Sequence, residues 1–169
     1  MRNLDAVIEE MKVDWSAARK AIHFSRECPF LLRSCFSDGV ASDVVIDGIP
    51  DSAHELMQFW IVSERADLFK DDECAQWGVE IFSPQKAVDE TGKKRKIRGR
   101  EFVDGDIVFA RFYGDSDLLL MDFTGSVYVS LPLDNRCDWP RVADSLGDFL
   151  ERLTSAQGAK YWEPPKSSR

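Results

Sequence analysis

Apolar residues recur every three or four positions through Leu4, Val7, Met11, Trp15, Ala18 and Ile22, the stripe of an amphipathic helix. The pattern predicts one long helix from Asn3 to Glu27, with Asn3 placed to cap its start and Pro29 just beyond its end. Ser52 and Glu55 stand at capping-box spacing ahead of Leu56, Phe59 and Trp60, which predicts a second helix from near Pro50 to about Ser63. Between these two, Val44, Val45 and Ile46 read either as a strand or as a buried stretch before Asp47-Gly48. Arg65 to Phe69 and Val79 to Phe82 are short β runs, with Asp71 to Trp77 as one helical turn before Gly78. Ser83-Pro84 opens another helix, which Gly92 is expected to stop after Thr91. A final helix is predicted with Asp138 as its cap and Pro140 in its first turn. Val142, Leu146, Phe149, Leu150 and Leu153 line one face of it.

The segment from Asp106 to Leu131 constrains topology most. Three β-rich runs are separated only by Gly114-Asp115-Ser116-Asp117 and by Thr124-Gly125. Parallel pairing needs a crossover of about a dozen residues, so these runs pair antiparallel, as a meander. The expected class is α+β: a mostly antiparallel sheet with a central meander, flanked by N-terminal and C-terminal helices. Residues 1–157 are expected to form one domain and 158–169 a polar tail whose end is mobile. Tyr161-Trp162 in that tail must either dock back or meet a partner.

Composition changes the picture little. Hydrophobic content of 44% and charged content of 31% in 169 residues describe an ordinary globular chain. No apolar run approaches the roughly 18 residues of a membrane span. Met1 to Glu10 lacks the apolar centre of a signal peptide, so a cytoplasmic location is expected. Cys28, Cys35, Cys74 and Cys137 form no C-x-x-C pair and are read as reduced, partly buried thiols.

Charge is more informative. The net charge is −8, yet Lys93, Lys94, Arg95, Lys96, Arg98 and Arg100 crowd six cations into one run. The remainder is therefore strongly acidic. Such a surface repels nucleic acid and membrane head groups and attracts basic partners. The basic run is either a tether for a polyanion or a solvated loop, and no aromatic residue interleaves it. Asp71, Asp72 and Glu73 form one acidic cluster, and Asp115 and Asp117 form another on a turn; these five are the candidate partner-binding residues.

Catalytic signatures are sparse. His23 and His54 are the only histidines, and neither has a second histidine at metal-ligand spacing. There is no Gly-x-Ser-x-Gly elbow and no phosphate-cradling glycine loop. No catalytic, metal or cofactor-binding residue is assigned, and a non-enzymatic protein is expected.

Three blocks carry a family resemblance. Ile81-Phe82-Ser83-Pro84-Gln85-Lys86-Ala87-Val88 is similar to a short strand running into a Ser-Pro helix start. Gly114 to Asp122, followed by Ser126-Val127-Tyr128-Val129, is similar to a glycine and acidic turn, an apolar strand ending in Asp and its paired strand. Val142 to Leu150 is similar to a C-terminal helix. In this order the blocks resemble the SUKH superfamily, the Smi/Knr-like proteins. Ser116 stands where a second glycine is common, and Ser130-Leu131-Pro132 replaces the usual aromatic-His ending. The resemblance implies a protein-binding module of the bacterial immunity type, which neutralises a cognate toxin, such as a nuclease or deaminase, by direct binding. The alternative it leaves is a regulatory or scaffold protein of the same fold that binds a host partner. Either way the expected partner is a protein, basic in the first case, with no nucleic acid and no membrane.

Overall fold

The computed structural model describes residues 3–165, and its central element is a single eight-stranded sheet. The strands are β1 Arg19–His23, β2 Arg26–Phe36, β3 Ala66–Asp71, β4 Val79–Ile81, β5 Ile107–Phe112, β6 Leu118–Met121, β7 Val127–Ser130 and β8 Arg141–Ala143. Each pairs antiparallel with the next in sequence, so the meander read at β5 to β7 spans the whole sheet. Four helices complete the α+β fold: α1 Leu4–Asp14, α2 His54–Val62, α3 Pro84–Ile97 and α4 Leu146–Ser155.

The N-terminal helix is much shorter than the apolar stripe predicted. It ends at Asp14, where the Trp15 N–H donates to Met11 O at 2.9 Å. Trp15 packs edge-on against Phe69 at 4.9 Å, and the chain then enters a hairpin. Ala21, not Ile22, is the buried residue of β1, so the helical spacing of Ala18 and Ile22 was coincidental. Phe24 and Ser25 turn the hairpin with φ of 50° and 66°.

Other boundaries differ for local reasons. Val44 and Val45 lie exposed in the long β2–α2 loop, neither strand nor core. The Ser52–Glu55 capping box does not form: Ala53 is the N-cap, and Glu55 instead accepts the Gly147 N–H at 3.1 Å, tying α2 to α4. Helix α3 starts where Ser83-Pro84 placed it, the Ser83 hydroxyl accepting the Lys86 N–H, but it runs through Gly92 to Ile97. Much of the basic run is thus helical and not a loop. Lys94, Arg95 and Lys96 in the last turn favour this, since cations complement the negative end of a helix dipole. Asp138 and Pro140 do not open the final helix. Arg136–Asp138 is a 3-10 turn, Val142 lies in β8, and Ser145 caps α4 by accepting the Asp148 N–H at 3.0 Å.

The two sheet faces follow from alternation along the strands. Phe112 packs toward Trp162, which also meets Phe149 of α4. That face is covered by α1, α2 and α4, which contact one another. Buried Trp60 of α2 donates from Nε1 to Phe82 O at 2.8 Å and fixes this layer to the end of β4. Arg111 points to the opposite face, where α3 packs on β5. On the same face of β2, Leu31 and Cys35 are exposed, so the sheet is bare beside α3.

The tail docks as far as Trp162, and residues 163–165 are exposed. Tyr161 donates to Val142 O at 2.6 Å, and Trp77 Nε1 donates to Gly158 O at 3.0 Å. The tail end expected to be mobile includes residues 166–169, which lie outside the described residues. No described helix is long and apolar enough to cross a membrane.

Candidate functional site

In an antiparallel meander the β3–β4 and β5–β6 turns fall at the same end of the sheet. Here they touch: Gly114 has φ +87°, and a Cβ on it would overlap the Gln76 carbonyl. This contact brings together two acidic clusters some forty residues apart in sequence.

Within that end the five candidate residues differ. Asp71 is not available to a partner. It is 2% exposed, and its carboxylate accepts the Glu73 N–H at 3.1 Å and the Cys74 and Gln76 N–H groups at 3.4 Å. It shapes the turn that carries its neighbours. Asp72 is half-exposed and pairs with Arg33 Nε at 2.8 Å, while Glu73 faces solvent. Asp115 accepts the Asp117 N–H at 2.9 Å and pairs with Lys160. Asp117 has its carboxyl pushed up, first by burial and then by the negative charge of Asp115, with Glu163 and Asp134 adding to it. Negative charge is in surplus there despite Lys160.

The bare half of the opposite sheet face carries a charged row that the sequence reading missed. Asp67, Glu80 and Arg111 are direct cross-strand partners on β3, β4 and β5. Glu80 is only 5% exposed and accepts Lys86 Nζ at 2.9 Å and Arg111 Nε at 3.0 Å. Burial pushes its carboxyl up, but the hydrogen bonds from Lys86 and Arg111 and their charges outweigh that, so it titrates below its ordinary range. Tyr113 donates to Asp67, and burial and that carboxylate together push its hydroxyl well up. The available signal was one charge in each of two apolar strands, Val79-Glu80-Ile81 and Phe109-Ala110-Arg111-Phe112, which pairing sets side by side.

His23 Nε2 hydrogen-bonds to Gln157 O at 2.9 Å, and burial lowers its pKa. His54 begins α2. Among the described residues no three His, Cys, Asp or Glu side chains cluster as a metal site would need. Cys28 is buried; Cys35, Cys74 and Cys137 are exposed, contrary to the expectation of partial burial.

No protein-family model matches this chain, and no curated protein does.

Proposed function

We propose that this chain is a SUKH-like protein-binding module of the immunity type, which neutralises a basic toxin domain by direct contact through the acidic end of its sheet. The observation that carries this reading is the meeting of the Asp72-Glu73 and Asp115-to-Asp117 turns at one end of the sheet, marked by the close approach of Gly114 to the Gln76 carbonyl. A nuclease surface is cationic because its substrate is rich in phosphate, so an acidic patch competes for it and speeds encounter by electrostatic steering. Asp71 supports the patch from beneath by holding the turn.

The test is co-expression with the neighbouring reading frame of the native genome. Rescue from its toxicity is expected, together with a salt-sensitive complex weakened when Glu73 and Asp117 are both changed to Lys. Rescue unaffected by that pair of changes refutes the acidic-end contact. An absence of toxicity, with a stable complex to a host protein instead, supports a regulatory scaffold.

A further inference from the structure

The basic run, which that function does not use, is ordered by α3 into a second surface. Lys93, Lys96 and Ile97 face solvent at the spacing that places residues on one side of a helix, and Arg100 is exposed in the turn just beyond it. Ile97 is 76% exposed, in the midst of these cations. Among the described residues, Lys94, Lys96 and Arg100 have no ion pair. Arg98 has turned inward: it donates to Leu131 O at 2.8 Å and also to Asp134 O. These two bonds hold the β7–β8 loop against the helix and leave a groove of about 140 Å³ between them. Lys94, Ile97, Arg98, Ser116, Leu118 and Pro132 line it, and Leu133, 94% exposed, lies in the loop beside it. The acidic turn contributes Ser116 to this groove, while its carboxylates interact with Lys160 and Glu163 of the C-terminal segment.

We infer that this groove binds an acidic segment of a partner protein that carries a large apolar side chain. Charge complementarity selects the acidic segment, because Lys94 and Arg98 line the groove and exposed Lys96 and Arg100 flank them in the chain, on a molecule of net charge −8. The apolar floor at Leu118 and the exposed Ile97 select a protein over a nucleic acid. A phosphate backbone has no use for an exposed isoleucine, whereas an apolar anchor inside a polar rim is the usual anatomy of a protein contact. The acidic turn adjoins this groove through Ser116, so the protein then has two neighbouring contact surfaces of opposite sign.

The test uses a fluorescein-labelled peptide, Glu-Glu-Asp-Leu-Leu-Asp-Glu-Glu, a second in which both Leu are Ser, and a labelled duplex DNA of the same charge. Saturable binding of the first is expected, about ten-fold tighter than that of the second, a factor equal to about 1.4 kcal/mol. Either Ile97→Asp or the triple change K94E/K96E/R100E should weaken it by at least about ten-fold. Lys96, Ile97 and Arg100 are exposed and Lys94 is half-buried, and unchanged thermal melting of the variants would show that folding is intact. No binding of the leucine peptide overturns the inference. So does DNA binding at least as tight and indifferent to Ile97, which would make the surface a phosphate site. Concentration-dependent dimerisation abolished by the same changes also overturns it, since the occupant would then be a second copy of this chain.

Discussion

Replacing Glu80 by Ala should destabilise the fold by about 2–3 kcal/mol, and the structure sets that figure. The carboxylate holds two charge-assisted hydrogen bonds, from Lys86 at 2.9 Å and Arg111 at 3.0 Å. Bonds of this type contribute about 1.5–3 kcal/mol each, and removing one member of a fully buried ion pair costs about 3–5 kcal/mol. Glu80 is buried, but the Lys86 and Arg111 side chains are 45% and 43% exposed. Both cations regain water once the carboxylate is gone, which places the cost below the buried-pair range. In thermal melting this corresponds to a fall of about 5–10 °C for a chain of this size.

The same group makes a pH prediction. Its folded pKa lies below the ordinary 4.5, so the folded state binds its proton less readily than the unfolded chain does. Such a carboxylate contributes stability that is complete above the unfolded pKa and is lost as pH falls through the folded one. Urea denaturation of wild type and Glu80→Gln should therefore show a constant gap at neutral pH that narrows below about pH 4.5. A double-mutant cycle of Glu80→Ala with Arg111→Ala should return a coupling of about 1–2 kcal/mol. A gap of the same size at pH 7 and pH 3, or a coupling under about 0.5 kcal/mol, would refute the reasoning.

Three further outcomes can be measured by the same melts. Gly92→Ala should stabilise by about 0.5–1 kcal/mol, because Gly92 is inside α3 and a Cβ there meets nothing within 4 Å; a loss of stability would mean that the helix stops there after all. Gly114→Ala should cost at least about 2 kcal/mol, since the positive φ is strained for Ala and the Cβ pushes on the Gln76 carbonyl. It should also weaken partner binding beyond its effect on folding, because it parts the two acidic turns. Asp71→Ala should destabilise by about 2 kcal/mol through its orphaned N–H groups, and Glu73→Ala should leave the melt unchanged.

The parts of this fold that were legible in the chain are those in which local signals and tertiary packing agree. Ser83-Pro84 starts a helix, and the turns at Gly114 and Thr124-Gly125 separate β5, β6 and β7 as read. Asp122 closes its strand by accepting the Thr124 and Ser126 N–H groups. The N-terminal hairpin was illegible because Ala18 and Ile22 continue a helical spacing by chance. Only pairing with β3 shows that Leu32 and Ser34 belong to the inner face. Gly92 misled because the cost of one glycine in a helix is about 1 kcal/mol, small beside the packing of Ala87 and Thr91 on β5.

The candidate surface shows the same division more sharply. Composition located the acidic turns, but not which carboxylates face out. Asp71, the first residue of its cluster, spends its oxygens on three backbone donors, and Asp115 is held by Lys160 from the chain's far end. Similarly, six clustered cations read as one feature, yet the helix turns Arg98 inward to organise a loop and leaves Lys93, Lys96 and Arg100 outside. A charge run in sequence is therefore a set of roles that only the fold separates. The residues that remain in solvent after the fold has used its share, Glu73 at one surface and Ile97 with its neighbouring lysines at the other, are where a partner's chemistry has to be sought.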